Sequence, residues 1–306
     1  MKDSPETTPE LDALLLTTCD ALGGRIDELL RLLTSISRQA ANDGVRVVHY
    51  VLLQRAGQSP AGLSAGQFAH DVRFMRIPGR ASLSRARNLL LGQAAQDGMM
   101  NRALWVAFPD DDAWYPRGLV RRITELFRDA PGAGLITCDY GSAPAAVGDM
   151  PEGGSFAVLG RSGDLVRTVS SNTLFVRAEV ARRVGFFDER LGVGASINGG
   201  EDLDFALRAF ARIAGETLIS RATLVGHRDR QPWVRSTYFS GSLFALARSA
   251  RSDRRLWWPF VRKLLVGGVL VLRGELPPRQ LMTGIGCALK GFGNRAPFVT
   301  TTPARR

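Results

Sequence analysis

Short apolar runs alternate with segments of helical periodicity through the first three quarters of the chain. Residues 11–16 are a short apolar run ending in Thr17, Thr18, Cys19 and Asp20, which predicts a strand. After Gly23 and Gly24, apolar residues recur at Ile26, Leu29, Leu30, Leu33 and Ile36 with charged residues between them, the pattern of an amphipathic helix. Residues 45–53 and 72–77 predict two more strands, the latter closed by Pro78 and Gly79. Ser84 is placed to cap a helix through Leu89, Leu90, Leu91 and Ala95, and residues 103–108 predict a fourth strand. A helix over 119–127, a fifth strand over 134–138, and a glycine-, alanine- and proline-rich loop over 141–154 follow. A strand over 169–176, a short helix over 178–184, a glycine-punctuated flexible loop over 185–200, a helix from Asp202 and a last strand over 217–225 complete the series. Such alternation predicts a three-layer α/β/α sandwich with a mostly parallel central sheet and its site at the carboxyl ends of the strands.

Composition changes this picture in one respect. The formal charge of +11 is not spread along the chain. Residues 228–306 carry 15 Lys/Arg against 3 Asp/Glu, a net of +12, whereas residues 1–227 are near neutral at −1. The expected organisation is a frayed N-terminus over 1–10, a catalytic domain over 11–227 and a basic, amphipathic, helical C-terminal region over 228–306. Basic residues around Trp257 and Trp258 suit an anionic membrane surface, and the apolar run over 264–272 is too short to span a bilayer. The other reading of that region packs its apolar side on the catalytic domain and leaves the arginines solvated. Three widely spaced cysteines, Cys19, Cys138 and Cys287, offer neither a disulfide framework nor a zinc site, which favours a reducing cytoplasmic compartment.

Four local patterns carry candidate chemistry. Asp110, Asp111 and Asp112 follow the fourth strand, where three adjacent carboxylates repel one another unless a hard cation or hydrogen-bond donors compensate. By itself the triplet reads equally as a solvated turn. Glu201, Asp202 and Asp204 open a helix after Gly199 and Gly200, a place for a general base or for ordinary partners of the helix dipole. Arg85, Arg87 and Asn88 stand at a helix start, where arginine opposes the dipole and calls for an anion such as a diphosphate. His227 follows the last strand, alone.

In order, ASLSRARNLLLGQA, LWVAFPDDDAWYP, SSNTLFVRAEVARRVGFFDERLG, GGEDLDFALRAF and LVGH resemble the family 2 glycosyltransferases of the GT-A fold, over residues 11–227. The resemblance implies inverting transfer of a sugar from a nucleotide-diphosphate sugar to a hydroxyl of a glycan or lipid-linked acceptor, in cell-surface polysaccharide synthesis. It implies Asp202 as base with Glu201 beside it, and Asp110, Asp112 and His227 as ligands of Mn²⁺ or Mg²⁺. Thr18, Arg85, Arg87, Asn88 and Asp111 would contact the donor, and Ser171 and Asn172 the acceptor. Asp188 in FFDE reads as a structural residue that holds the loop. The expected location is the cytoplasmic face of the cell membrane, with the C-terminal region as a peripheral anchor. One departure concerns the base: Gln54 stands where family members commonly end the second strand with an acid that reads it. A nucleotidyltransferase would carry a glycine-rich loop that TTCDALGGR lacks, and a haloacid-type phosphatase a DxDxT motif after its first strand. A catalytically inactive relative that only binds glycan, and nucleic-acid binding through the basic region, are the less favoured alternatives.

Overall fold

The computed structural model describes residues 9–57, 62–145, 156–159, 162–213, 215–229, 234–294, 297 and 299. Its first half contains β1 (Leu11–Asp20), α1 (Ile26–Asp43), β2 (Val47–Gln54), β3 (Asp71–Ile77), α2 (Leu83–Gln96), α3 (Met99–Arg102), β4 (Ala103–Ala107) and α4 (Leu119–Asp129). There follow β5 (Leu135–Gly141), β6 (Ala157–Val158), α5 (Ser162–Thr168), β7 (Leu174–Arg177), α6 (Ala178–Val184), α7 (Glu201–Phe210) and β8 (Thr217–Gly226). The C-terminal region is helical: α8 (Val234–Thr237), α9 (Phe239–Ala250), α10 (Trp257–Leu272) and α11 (Pro278–Gly293).

The strands form one sheet in the order β3-β2-β1-β4-β7-β5-β8-β6. Pairs β1/β2, β2/β3, β1/β4 and β5/β8 are parallel, and only β7 and β6 run against their neighbours. The apolar runs are continuous because both faces are covered. Along β1, Leu14 and Leu16 enter one buried cluster with α2, α6, α7 and α9, whereas Ala13 and Leu15 enter the opposite one with α1 and α4. This is the expected three-layer sandwich with a mostly parallel sheet.

Several expectations shift. β1 runs on to Asp20, four residues past the apolar run. The strand expected over 169–176 is present only from Leu174, because Ser171–Thr173 turn as a 3₁₀ segment and Thr173 Oγ1 donates to the Thr168 carbonyl at 3.0 Å. Here short hydroxyl side chains compete for the backbone bonds that a strand would use. The short elements α3, α5 and β6 carry too little periodicity to be read in advance. Residues 1–8 of the expected frayed segment, 146–154 of the glycine-rich loop and most of the chain beyond 294 lie outside the described residues.

The C-terminal helices are part of the core. Phe239, Leu243, Leu246 and Ala247 of α9 share the buried cluster of β1, β4 and α7, and Ala288 of α11 joins them. Contact with the loop before α7 is backbone on backbone: a Cβ on Gly200, at φ +82°, would lie 2.2 Å from the Gly241 carbonyl carbon. A Cβ on Gly241 would in turn lie 2.0 Å from the Gly199 oxygen. The glycine loop read as flexible is therefore seated against α9, and its glycines serve close approach.

Candidate active site

β1, β4 and β8 end on the same edge of the sheet, and the first turns of α2 and α7 face that edge with their charged residues. After β4 the chain passes Phe108 and Pro109 and presents Asp110, Asp111 and Asp112. The Pro109 carbonyl is held by Thr17 Oγ1 at 2.9 Å, and the Asp110 amide donates to Asn172 Oδ1 at 2.7 Å. The triplet is thus anchored from β1 on one side and from the turn before β7 on the other.

Arg87 organises the site. It is 2% exposed, and its guanidinium donates to Asp110 Oδ1 at 3.1 Å and to Asp202 Oδ1 at 2.6 Å, with Glu201 Oε1 at 4.0 Å. Burial alone would lower its pKa, but Asp202, Asp110 and Glu201 outweigh this and hold the guanidinium firmly charged. Expected as a donor contact, Arg87 is instead the internal brace that ties the aspartate triplet to the start of α7. Asp110 completes its shell with Ser171 Oγ and Asn172 Nδ2, both 3.0 Å from Oδ2. Ser171 and Asn172, expected at the acceptor floor, are buried and spend these contacts on Asp110. Asn88, another expected donor contact, clamps the loop before α7: its amide accepts from the Phe187 N–H at 2.8 Å and donates to the Phe187 carbonyl at 3.0 Å. Arg85 lies exposed on α2 and Thr18 half-buried near the end of β1. Gln54 Oε1 accepts from the Ala81 amide at 2.8 Å.

Asp112 is nearly buried and strongly compensated. Its Oδ1 meets His227 Nε2 at 3.1 Å, and its Oδ2 accepts from Arg228 and lies 3.6 Å from Arg25 Nη1. Burial pushes this carboxyl up, yet His227 and Arg228 prevail and keep it ionised well below the usual carboxylate range. Asp111 bonds Arg25 at 2.9 Å, and its burial raises it to about 6 despite that partner. His227 stands edge-on to Tyr140, with Nδ1 3.0 Å from the Arg228 carbonyl. Burial would lower the imidazole, but Asp112 raises it above its ordinary value. Glu201 shows the opposite balance: burial and the charge of Asp202 push its carboxyl up, and Oε2 has no hydrogen-bond partner among the described residues.

One oxygen from each of Asp110 and Asp112 and one ring nitrogen of His227 lie within 4.8 Å of one another. Two carboxylates and an imidazole converging at a strand edge fit a divalent cation such as Mn²⁺ or Mg²⁺. The place of His227 is set by Gly226, where a Cβ would lie 2.0 Å from the Trp114 indole; Trp114 in turn carries the Arg31 guanidinium 4.3 Å from its ring centre. Sequence reading missed Arg25 and Arg228. Arg228 is adjacent to the suspected ligand His227, a signal that was available; Arg25 reaches the site only through the fold.

A second ionic cluster lies behind the loop before α7. Asp188 and Asp204 are fully buried; Arg248 from α9 donates to Asp188 at 2.8 Å and also to Asp204, and Arg208 donates to Asp204 at 2.9 Å. Asp188 also takes the Arg190 guanidinium at 2.6 Å, in keeping with its expected role in holding the loop.

No protein-family model matches the chain, and no curated protein matches its sequence. Solved structures do match its fold. The chain is similar to the Staphylococcus aureus protein TarS, residues 1–349, with a TM-score of 0.65 at 12% identity over 92% of this chain and 81% of that one. The same TarS segment in complex with UDP-GlcNAc gives 0.65 and 12% over 92% and 82%. Full TarS gives 0.60 at 10% identity, with 92% of this chain covering 54% of it.

Proposed function

We propose that this chain is a metal-dependent, inverting glycosyltransferase that uses a nucleotide-diphosphate sugar. The observation that carries the reading is the Arg87 brace, which holds Asp110, one of three groups that converge as a cation's ligands could, and the helix-start carboxylate Asp202 on one guanidinium at the strand edge. The TarS segment, similar in fold, was solved with UDP-GlcNAc, a donor of this class.

In this reading Asp202, partly exposed and fixed by Arg87, accepts the proton of the attacking acceptor hydroxyl. The hydroxyl oxygen forms a bond to the anomeric carbon from the face opposite the diphosphate, the bond from that carbon to the diphosphate oxygen breaks, and the electron pair leaves with the diphosphate. Glu201, whose carboxyl burial and Asp202 push upward, stands beside the base as a hydrogen-bonding group. Asp110, Asp112 and His227 would hold Mn²⁺ or Mg²⁺, which would supply charge stabilisation to the departing diphosphate. Asp111 and Arg25 line the donor side.

The acceptor in this reading is a glycan or lipid-linked hydroxyl, as cell-surface polysaccharide synthesis requires, met at the cytoplasmic face of a membrane. No helix among the described residues is long and apolar enough to cross one. On α10, however, Trp258, Val261, Leu265, Val269 and Leu272 recur at helical spacing and are exposed, flanked by the exposed Arg254, Arg255, Arg262 and Arg273. Such a face suits the boundary of an anionic bilayer.

The test is a panel of nucleotide-diphosphate sugars with Mn²⁺ or Mg²⁺, followed by donor hydrolysis and, with an accepted sugar, NMR of the product anomer. Metal-dependent consumption of one donor with inverted product is expected. No consumption and no diphosphate binding across the panel overturns the reading. The same protein sedimented with anionic and neutral vesicles should follow the anionic ones; DNA binding without vesicle binding would remove the membrane part.

A further inference from the structure

Arg228 joins the site from an unusual base. The backbone on either side of it is fixed: the His227 amide donates to the Gly141 carbonyl at 3.0 Å, and both carboxylate oxygens of Asp229 are held by Ser142, from its amide and its hydroxyl, at 2.8 Å each. Its side chain is nevertheless 65% exposed and reaches over to Asp112, which is 3% exposed. A long side chain on a clamped backbone can move its guanidinium without disturbing His227 or the end of β8. Its partner oxygen belongs to one of the three groups that converge for a cation.

Two positive charges then contend for one carboxylate. A guanidinium bound to Asp112 opposes a dication on the same group, by sharing its lone pairs and by like-charge repulsion. Once a dication takes Asp112, the guanidinium needs another acceptor. A diphosphate on that dication is the acceptor of matching charge and planar, two-pronged geometry. Arg25 is less suited to this role, because its main bond is to Asp111 at 2.9 Å.

We propose that Arg228 is a leaving-group residue shared between Asp112 and the donor diphosphate: it neutralises Asp112 when that carboxylate is not ligating a cation, and turns to the diphosphate when it is. This rests on the glycosyltransferase reading and adds to it a residue that couples metal and donor binding. Cation alone binds against the guanidinium; cation with diphosphate binds with it. Metal and nucleotide therefore raise one another's affinity, each by the same factor.

Arg228→Met keeps much of the side-chain stem and removes the charge. Mn²⁺ binding to wild type and variant is read from the loss of the free aqua-ion signal in electron paramagnetic resonance, with no nucleotide present. UDP and GDP binding is then measured by calorimetry at saturating Mn²⁺. The variant should bind Mn²⁺ alone more tightly than wild type, and the diphosphate roughly 10- to 100-fold more weakly, the loss of one charged hydrogen-bonding group. Arg228→Lys, which keeps charge but not the planar fork, should hold Mn²⁺ affinity near wild type and recover only part of the diphosphate affinity. Unchanged or weaker Mn²⁺ binding in Arg228→Met, or unchanged diphosphate binding, overturns the proposal while leaving the enzyme reading intact. A wild type that binds neither Mn²⁺ nor diphosphate overturns both.

Discussion

Two clusters of aspartate and arginine stand on either side of the loop before α7, built from the same residue types to opposite ends. Around Arg248, Asp188 and Asp204 are fully buried and held by Arg190, Arg208 and Arg248. Around Arg87, Asp110 and Asp202 keep 31% and 22% of their side chains exposed, and Glu201 retains an unpartnered oxygen. The first cluster is a closed ionic joint between the C-terminal helices and the loop. The second holds more carboxylates than guanidinium groups at an open edge, where the proposed cation and acceptor hydroxyl would enter. Burial and the ratio of carboxylates to guanidinium groups separate a fastening from the proposed reaction site, which residue type alone does not do.

The most severe way to break this contrast is Arg248→Ala. It leaves Asp188 to Arg190 alone and Asp204 to Arg208 alone, removing the guanidinium that joins them, and a loss of about 1.5–3 kcal/mol in unfolding free energy is expected by denaturant titration. A loss within about 0.5 kcal/mol, the range of ordinary surface changes, would show that the joint carries no stability. At the open cluster the expectation reverses. Asp202→Asn keeps a hydrogen-bond acceptor for Arg87 but cannot take a proton, so stability and diphosphate binding should hold while transfer falls about 10²–10⁴-fold. Near-normal turnover would move the base elsewhere, with Asp204 excluded by its burial in the joint.

The smallest effect sharpens the comparison through pH. Because the folded state raises the Glu201 pKa, the native protein binds more protons than the unfolded chain at this group between the ordinary carboxylate range and the raised value. Its contribution to stability is therefore complete at low pH and declines as pH rises through that window. Glu201→Gln removes the titration. The difference in stability between variant and wild type should move in favour of the variant, by about 1 kcal/mol or more, between pH 5 and pH 9. A difference that stays constant across the range would show that Glu201 is ionised throughout.

Much of the fold was legible because its signal is local. Strand runs and helix faces are written by residues two to four apart, and the positions of the aspartate triplet, Glu201, Asp202 and His227 at element ends follow from them. Thr173 and its neighbours were misread because hydroxyl-to-backbone bonds compete with strand pairing at short range. Asn88 was read as a donor contact because its place at a helix start is right; only the nearness of Phe187, 99 residues on, engages its amide elsewhere. The C-terminal region was read chiefly by its charge, yet Arg248 belongs to the interior and only part of the basic surface borders the exposed face of α10.

By itself, then, the sequence determined the sandwich, the edge at which chemistry gathers and the acidic residues that stand there, since these depend on periodicity and on element ends. Which cation answers which carboxylate was decided by the tertiary structure. Arg87 and Asp202 are 115 residues apart, Arg228 and Asp112 116, and Arg248 and Asp204 44. An ion pair over such separations has no local pattern, because its geometry exists only after the sheet has closed and the helices have packed; the same residue type is a brace at Arg87, an exposed partner of Asp112 at Arg228 or a fastening at Arg248 according to what that packing brings beside it.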